Sequence, residues 1–241
     1  MEKERQNYIR KAFEEIQIFL NEEQIQQFAS YYEILIQKNE VMNLTAITEF
    51  EDVVRKHFVD SLTIKNILEP KAGEYWLDLG TGAGFPGIPL KIVYPELKLV
   101  LLDSLNKRVK FLQEVIEKLD LKKIDAVHGR AEELARKAEY REQFDCCVSR
   151  AVANLASLSE YCLPFVKPGG CFVPYKSEKI QEEIKGAEKA VRILGGKMEE
   201  QKEFLLPGSD IYRCLLCIRK IQKTPKKYPR KAGTPTKEPI R

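Results

Sequence analysis

Apolar positions recur every three or four residues through the first third of the chain, then give way to short apolar runs separated by turns. Ile9, Phe13, Ile16 and Leu20 form one stripe at helical spacing over residues 1–20. Asn21 with Gln24 has the form of a capping box, and Ile25, Phe28, Tyr32 and Leu35 continue as a second helix. Thr48 with Glu51 predicts another capping box, opening a third helix that runs to about Leu68 with Val54, Phe58 and Leu62 turned inward. Pro70 and Gly73 end it.

From there the period changes. Runs at 76–79, 97–102, 124–128, 144–149 and 171–175 have the length of buried strands. Between them lie helical stretches at Pro86 to Tyr94, Asn106 to Leu119 and Ser177 to Leu194, and two last strands are expected near 197–205 and 212–219. Such alternation predicts an α/β fold: a mostly parallel seven-stranded sheet, helices on both faces and an antiparallel edge. The expected organisation is a helical extension over 1–70, a core over 71–220 and a tail over 221–241.

The first strand stops at Gly80-Thr81-Gly82-Ala83-Gly84-Phe85-Pro86-Gly87. A strand, a glycine turn and a helix start together bring bare backbone N–H groups up to a ligand, and Pro86 suits a first helical residue. Dinucleotide sites use G-x-G-x-x-G directly after the strand. Counted from Gly80 the third glycine position is Phe85, and counted from Gly82 the pattern begins two residues late with Pro86 inside it. Asp78-x-Gly80-x-Gly82-x-Gly84 instead resembles S-adenosylmethionine-dependent methyltransferases of Rossmann-like fold, in which an acidic strand residue and a looser turn face the methionine end of the cofactor.

Composition narrows the setting. The 241 residues are 44% apolar, enough for a full core. No apolar run reaches the 18 or so residues of a membrane span and no signal-peptide pattern opens the chain, so a cytoplasmic location is expected. Cys146, Cys147, Cys171, Cys214 and Cys217 fall in strand-like runs and read as small hydrophobes. Cys214 and Cys217 would point to opposite sheet faces, against a metal knuckle. The net charge of +4 is uneven: residues 219–241 carry nine basic residues against Glu238 alone, a net of +8, leaving −4 elsewhere. A basic tail of this kind is an electrostatic handle for nucleic acid.

Further candidates follow from strand ends. Asp103 stands 23 residues after Gly80, close to the interval at which a carboxylate reaches a nucleotide ribose. Ala131 and Glu132 lie where the third strand opens into a helix, placed to meet an adenine edge. Arg150 ends strand four and Lys176 ends strand five. His57, among Arg55, Lys56 and Asp60, reads as a surface or satisfied histidine. The segment Asn43 to Ala46 is too polar for core and has no assignment on physical grounds.

Taken together the residues resemble the bacterial small-subunit (16S) ribosomal RNA guanine-N7 methyltransferases, also called glucose-inhibited division protein B. The resemblance rests on Met42 to Ala46, His57 to Ser61, Leu77 to Gly87, Ser149-Arg150-Ala151 and Tyr228 to Pro235, and so spans nearly the whole chain. It implies S-adenosylmethionine as cofactor, with Gly80 and Phe85 lining its site and Ala131-Glu132 in contact with it. It places Arg150 at the active cleft, and implies that the tail and Asn43–Ala46 serve RNA binding or site architecture. The expected partner is 16S ribosomal RNA or the small subunit, met by a monomer.

Methyl transfer from a sulfonium is an in-line displacement, so the nucleophile decides which other groups are needed. RNA C5 methylation needs a nucleophilic cysteine, typically beside proline, and Cys146 and Cys147 lack that neighbour. Methylation of an exocyclic adenine amine commonly uses a Pro-Pro-aromatic turn after strand four, where Ser149-Arg150-Ala151-Val152 stands here. Guanine N7 carries a free lone pair and no proton, and needs no general base. Arg150 is then expected to orient the guanine through O6 or a phosphate, and Lys176 to hold a phosphate. The expected cofactor-binding set is Asp78, Gly80, Gly82, Phe85, Asp103, Ala131, Glu132 and Arg150. An NAD-dependent oxidoreductase, a non-catalytic RNA-binding factor and a small-molecule methyltransferase remain as alternatives.

Overall fold

The computed structural model describes residues 2–150, 152–177 and 180–240. Ala151, in one of the segments above, and the second and third residues of the helix expected from Ser177 lie outside them. Seven strands form one sheet in the order β3-β2-β1-β4-β5-β7-β6. They are β1 (Tyr75–Leu79), β2 (Lys98–Asp103), β3 (Ile124–His128), β4 (Phe144–Arg150), β5 (Val166–Lys176), β6 (Gly196–Leu205) and β7 (Tyr212–Lys220). β1 through β5 pair in parallel, and β7 runs antiparallel to both β5 and β6. The expected sheet and its edge are present.

Both sheet faces are covered, and strand alternation divides the residues between them. Trp76 belongs to one buried cluster, Leu77 and Leu79 to the other. The first cluster takes in α1 (Glu2–Glu14), α2 (Glu22–Met42), α5 (Gly87–Val93) and α6 (Asn106–Lys118). On the second face lie α7 (Ala131–Leu134), α8 (Leu155–Cys162) and α9 (Ile180–Ile193). Cys217 falls in the first cluster and Cys214 in the second, as the strand geometry required.

The helical extension shares the first cluster rather than building its own. Phe13, Phe28, Tyr31 and Phe58 are fully buried together with Trp76 and Ile88. Gln24 does two jobs: its side chain closes the capping box with Asn21 and donates from Nε2 to Ile92 O at 2.9 Å, at the end of α5. The first stripe is shorter than expected. α1 ends at Glu14; Ile16 lies in the turn that follows, and Leu20 comes after the left-handed residue Gln17.

The third helix differs from its expectation. Its N-cap is Glu49 with no side-chain bond, and Thr48 lends only its carbonyl, to Tyr32 Oη at 3.1 Å. After α3 (Phe50–Val53) the chain makes a π-helical stretch, Val54–Val59, then α4 (Asp60–Leu62) and a 3-10 turn, Thr63–Asn66. Such π segments shift the register of one face against the next and recur at functional sites. This one carries His57 and delivers Asp60. β5 is also longer than the run at 171–175 suggested: Val166 already pairs with Phe144 before a register shift.

The basic end of the chain divides its charges. Lys220 is buried, donating to Leu163 O and Thr224 Oγ1 at 2.6 Å each. Arg141 holds the segment down through Thr224 O at 2.8 Å and Tyr228 O at 3.0 Å. Arg230 clasps Glu160 of α8, a carboxylate with no exposure, from Nε and Nη2. A short helix, α10 (Thr234–Lys237), then lies against α8. Lys223, Lys226, Lys227, Lys231 and Lys237 stay exposed. What the sequence presents as a uniform basic arm is therefore a docked strap with a lysine-rich outer side.

Candidate functional site

Two cavities open at the carboxyl ends of the central strands, where ligands bind in open parallel sheets. The first, about 290 Å³, is lined by Leu79, Gly80, Leu102, Ser104, Gly129, Arg130, Ala131, Glu132, Val152, Tyr161, Gly233 and Thr236. Its walls thus come from the ends of β1 and β2, the start of α7 and the docked strap. Glu132 Oε1 accepts from Gly233 N at 2.8 Å, and Tyr161 Oη shares a hydrogen bond with Thr236 Oγ1 at 2.7 Å. No side chain caps α7, so its first N–H groups meet the cavity uncapped.

Gly80 has φ +71°, and a Cβ there would lie 2.5 Å from Val152 Cγ2. Leucine and valine faces with a carboxylate and free N–H groups at one end suit a flat, hydrogen-bonding ring. Gly80, Ala131 and Glu132 are thus brought together as expected. Asp78, Gly82, Phe85 and Asp103 cluster around the turn without lining this cavity, and Arg150 lines the other one. Asp103 Oδ2 accepts from Gly82 N at 3.0 Å and its Oδ1 from Leu105 N at 2.9 Å, tying the turn to the end of β2.

Asp78 is completely buried. Its Oδ2 accepts from Thr81 Oγ1 at 2.6 Å and Gly87 N at 2.8 Å, whereas Oδ1 has no partner among the described residues. Burial, only partly opposed by those two hydrogen bonds, pushes its carboxyl up to about 7. Between pH 4 and 7 the native state therefore holds a proton there that the unfolded chain releases, so this group's stabilisation falls as pH rises. Asp78→Asn keeps an acceptor for Thr81 and Gly87 and removes the titration. Measured by urea unfolding, its stability relative to the native chain should rise by up to about 1.4 kcal/mol per pH unit across that window. A flat difference would show that the carboxyl is not perturbed.

The second cavity, about 390 Å³, is lined by Ile47, Lys56, His57, Asp60, Arg150, Tyr175, Lys176, Ser177, Glu183 and Arg213. Asp60 is its anchor, buried, accepting from Arg150 Nη1 at 3.0 Å and Arg213 Nε at 2.8 Å. Arg150 also lies over the Phe85 ring, 5.1 Å from its centroid, and His57 stacks on the same ring at 4.5 Å and 19°. Phe85 thus stands between the glycine turn and the second cavity. Tyr31 supports it from behind at 5.5 Å and donates to Ala83 O in the turn.

His57 is neutral with a defined tautomer. Arg150 Nη2 lies 3.2 Å from Nδ1, and a guanidinium only donates, so Nδ1 accepts and Nε2–H donates to Thr45 Oγ1 at 2.8 Å. Burial first, then the Arg150 charge, lowers its pKa to about 3. Thr45 Oγ1 also accepts from Ile47 N, and Asn39 Oδ1 accepts from Leu44 N and Thr45 N. The segment without an assignment is therefore the bracket that holds His57. Lys176 lines this cavity too, with its ammonium already bound by Ala153 O at 2.8 Å and Glu183 Oε2 at 2.6 Å.

Sequence reasoning did not single out Asp60, Arg213, Tyr31 or Glu183. A signal existed for the first two: an acid among Val59, Ser61 and Leu62, and an arginine between Tyr212 and Cys214, both break an apolar surface. Nothing comparable marks Tyr31 or Glu183.

Residues 24–210 match the family model described as GidB, rRNA small subunit methyltransferase G. Over 221 residues the chain is 58% identical to the ribosomal RNA small subunit methyltransferase G of Lachnoclostridium phytofermentans, covering 92% of this chain and 91% of that one. It is 53% identical over 233 residues to the protein of the same description from Alkaliphilus metalliredigens, covering 97% and 98%. A solved SAM-dependent methyltransferase from Aquifex aeolicus shares the fold, with a TM-score of 0.52 at 17% identity over 69% of this chain and 92% of that one.

Proposed function

Because the chain belongs to the ribosomal RNA small subunit methyltransferase G family, we propose that it transfers a methyl group from S-adenosylmethionine to N7 of one guanine in 16S ribosomal RNA. The observation that carries this reading is the pair of cavities flanking one glycine turn, with Phe85 and Arg150 between them. The residues present fit the cofactor. Gly80, Ala131 and Glu132 receive the adenine end, and Asp103 receives the ribose beside Leu102 and Ser104. Asp78 Oδ1, buried and unpartnered, is the acceptor left for the methionine ammonium.

When bound, the cofactor supplies an electrophilic methyl group on a sulfonium. The protein's part is positional. Arg150, held by Asp60, His57 and Phe85 at once, orients the guanine through O6 or a flanking phosphate. His57 cannot serve as a proton carrier near neutral pH, since its proton is bonded to Thr45 and its pKa is about 3. This agrees with a ring nitrogen that attacks with its own lone pair and loses no proton. Lys176 can meet a phosphate only alongside its bonds to Ala153 and Glu183. The exposed lysines of the strap give the RNA backbone a basic approach, and the compartment of the reaction is then that of the ribosome.

The test is to incubate hypomethylated small subunits and naked 16S RNA with labelled cofactor, then cleave at 7-methylguanosine with borohydride and aniline. A single cleaved guanine is expected. Label at a carbon or an exocyclic amine would overturn the N7 assignment. Arg150→Ala should lower kcat/KM by about ten- to a hundredfold, the scale of one oriented base contact, with cofactor affinity little changed. Normal methylation by that variant would remove Arg150 from the role.

A further inference from the structure

The second cavity holds two carboxylates, and they are committed differently. Both oxygens of Asp60 are taken, Oδ1 by Arg213 Nε and Oδ2 by Arg150 Nη1, and its side chain is 2% exposed. Glu183, on α9, uses one oxygen only. Its Oε2 accepts from Lys176 Nζ at 2.6 Å and from Leu155 N at 2.9 Å, whereas Oε1 has no partner among the described residues. The side chain is 31% exposed, and Lys176 is itself moored to Ala153 O with 11% exposure. The result is a carboxylate tethered at one oxygen and open at the other, in the wall of a base-sized cavity.

Guanine that reacts at N7 must turn its N7 edge toward the methyl donor. Its N1–H and N2–H₂ then lie on the far side of the ring, and both are donors that need an acceptor inside a water-poor pocket. Adenine offers an acceptor at N1 instead, which a carboxylate oxygen would repel.

We propose that Glu183 Oε1 accepts from the N1–H/N2–H₂ edge of the target guanine, making Glu183 the residue that selects guanine, with Lys176 as its positioning partner. This rests on the guanine-N7 reading above. It also gives Lys176 a use that needs no phosphate. As the N7–C bond forms, the S–C bond breaks and its electron pair stays on sulfur, so the positive charge passes from the sulfonium to the purine. The N1–H and N2–H₂ donors become more acidic during that transfer, and their bonds to a carboxylate strengthen between ground state and transition state. Glu183 therefore acts on kcat as well as on base choice.

The experiment uses small subunits reconstituted from 16S RNA ligated to carry either guanosine or inosine at the methylated position. Inosine keeps N7, O6 and N1–H and lacks only the N2 amine. For the native chain, inosine should lower kcat/KM about ten- to a hundredfold, the scale of one good base contact. Glu183→Gln should lower the rate on guanosine by a similar factor, and in that variant the guanosine-to-inosine ratio should collapse toward one. Calorimetric cofactor affinity is measured alongside and should stay at the native value, and the thermal midpoint, lowered by the loss of the Lys176 counter-charge, should remain above the assay temperature. An equal loss on both RNAs would mean that Glu183 merely braces α9 and Lys176, and would overturn the proposal. So would an unchanged rate on guanosine. A native chain that methylates neither substrate at N7 would instead bring down the parent reading, and this inference with it.

Discussion

Asp60→Ala should be the most damaging single change in the second cavity. It removes the shared acceptor of Arg150 and Arg213 and leaves two guanidinium groups, 15% and 20% exposed, facing each other without a counter-charge. Breaking a buried pair from one side costs about 3–5 kcal/mol, because the remaining charge stays desolvated. Here two remain, on β4 and β7, both lining the same cavity. Urea unfolding should show the loss as a shifted midpoint at unchanged slope. Methyl transfer should fall about ten- to a hundredfold even at temperatures where the variant is folded, as in Arg150→Ala, since Arg150 loses its carboxylate tether. Asp60→Asn keeps one acceptor oxygen and should fall between the two. A variant as stable as the native chain would show that the two arginines find other partners.

Arg230→Ala is the second large effect, and its course differs. Glu160 is completely buried, and Arg230 supplies its backbone N–H at 2.7 Å as well as two guanidinium contacts. Left with the backbone N–H as its one remaining donor from residue 230 and no counter-charge there, the carboxylate faces a cost of up to about 3–5 kcal/mol. The chain has a way to limit that cost: the strap beyond Tyr228 can lift away and admit water, so the penalty is capped at the local opening free energy. The expected result is therefore release of the chain end, seen as new proteolytic cutting between 223 and 237, with cofactor affinity reduced at least about tenfold as Gly233 and Thr236 leave the first cavity. Adding Glu160→Gln to Arg230→Ala removes the stranded charge and should restore much of the affinity. If the single variant bound cofactor normally, the strap would have no part in that site.

The contrast between the two ends of the chain explains what could be read in the sequence. Strand-turn-helix units are local, so the run from Tyr75 to Gly87 announces the sheet centre, and Gly80, Ala131 and Glu132 follow from strand-end rules. The N-terminal stripe was legible as helices, yet the π segment at Val54–Val59 was not, because no local residue pattern distinguishes an extra residue per turn from an ordinary helix. His57 looked like a bystander for the same reason. Its partners, Thr45, Phe85 and Arg150, are brought to it only by the folding of three separate parts of the chain. The strap misled differently. Nine basic residues in a short stretch carry the signature of a solvated arm, and only the acids waiting for them, the buried Glu160 and the half-buried Glu142, reveal that some are structural. Those acids lie in regions with no outward sign of the pairing.

The six thiols offer a clock for telling these failures apart. Cys146, Cys147, Cys162, Cys171, Cys214 and Cys217 are all buried, spread over β4, α8, β5 and β7, and none sits in the strap or the N-terminal helices. An alkylating reagent can reach them only when the sheet itself opens, so labelling counts global breathing and stays blind to a detached terminus. Loosening the arginine pair at Asp60 should therefore accelerate iodoacetamide uptake, whereas freeing the chain end at Arg230 should leave the mass of the folded protein untouched.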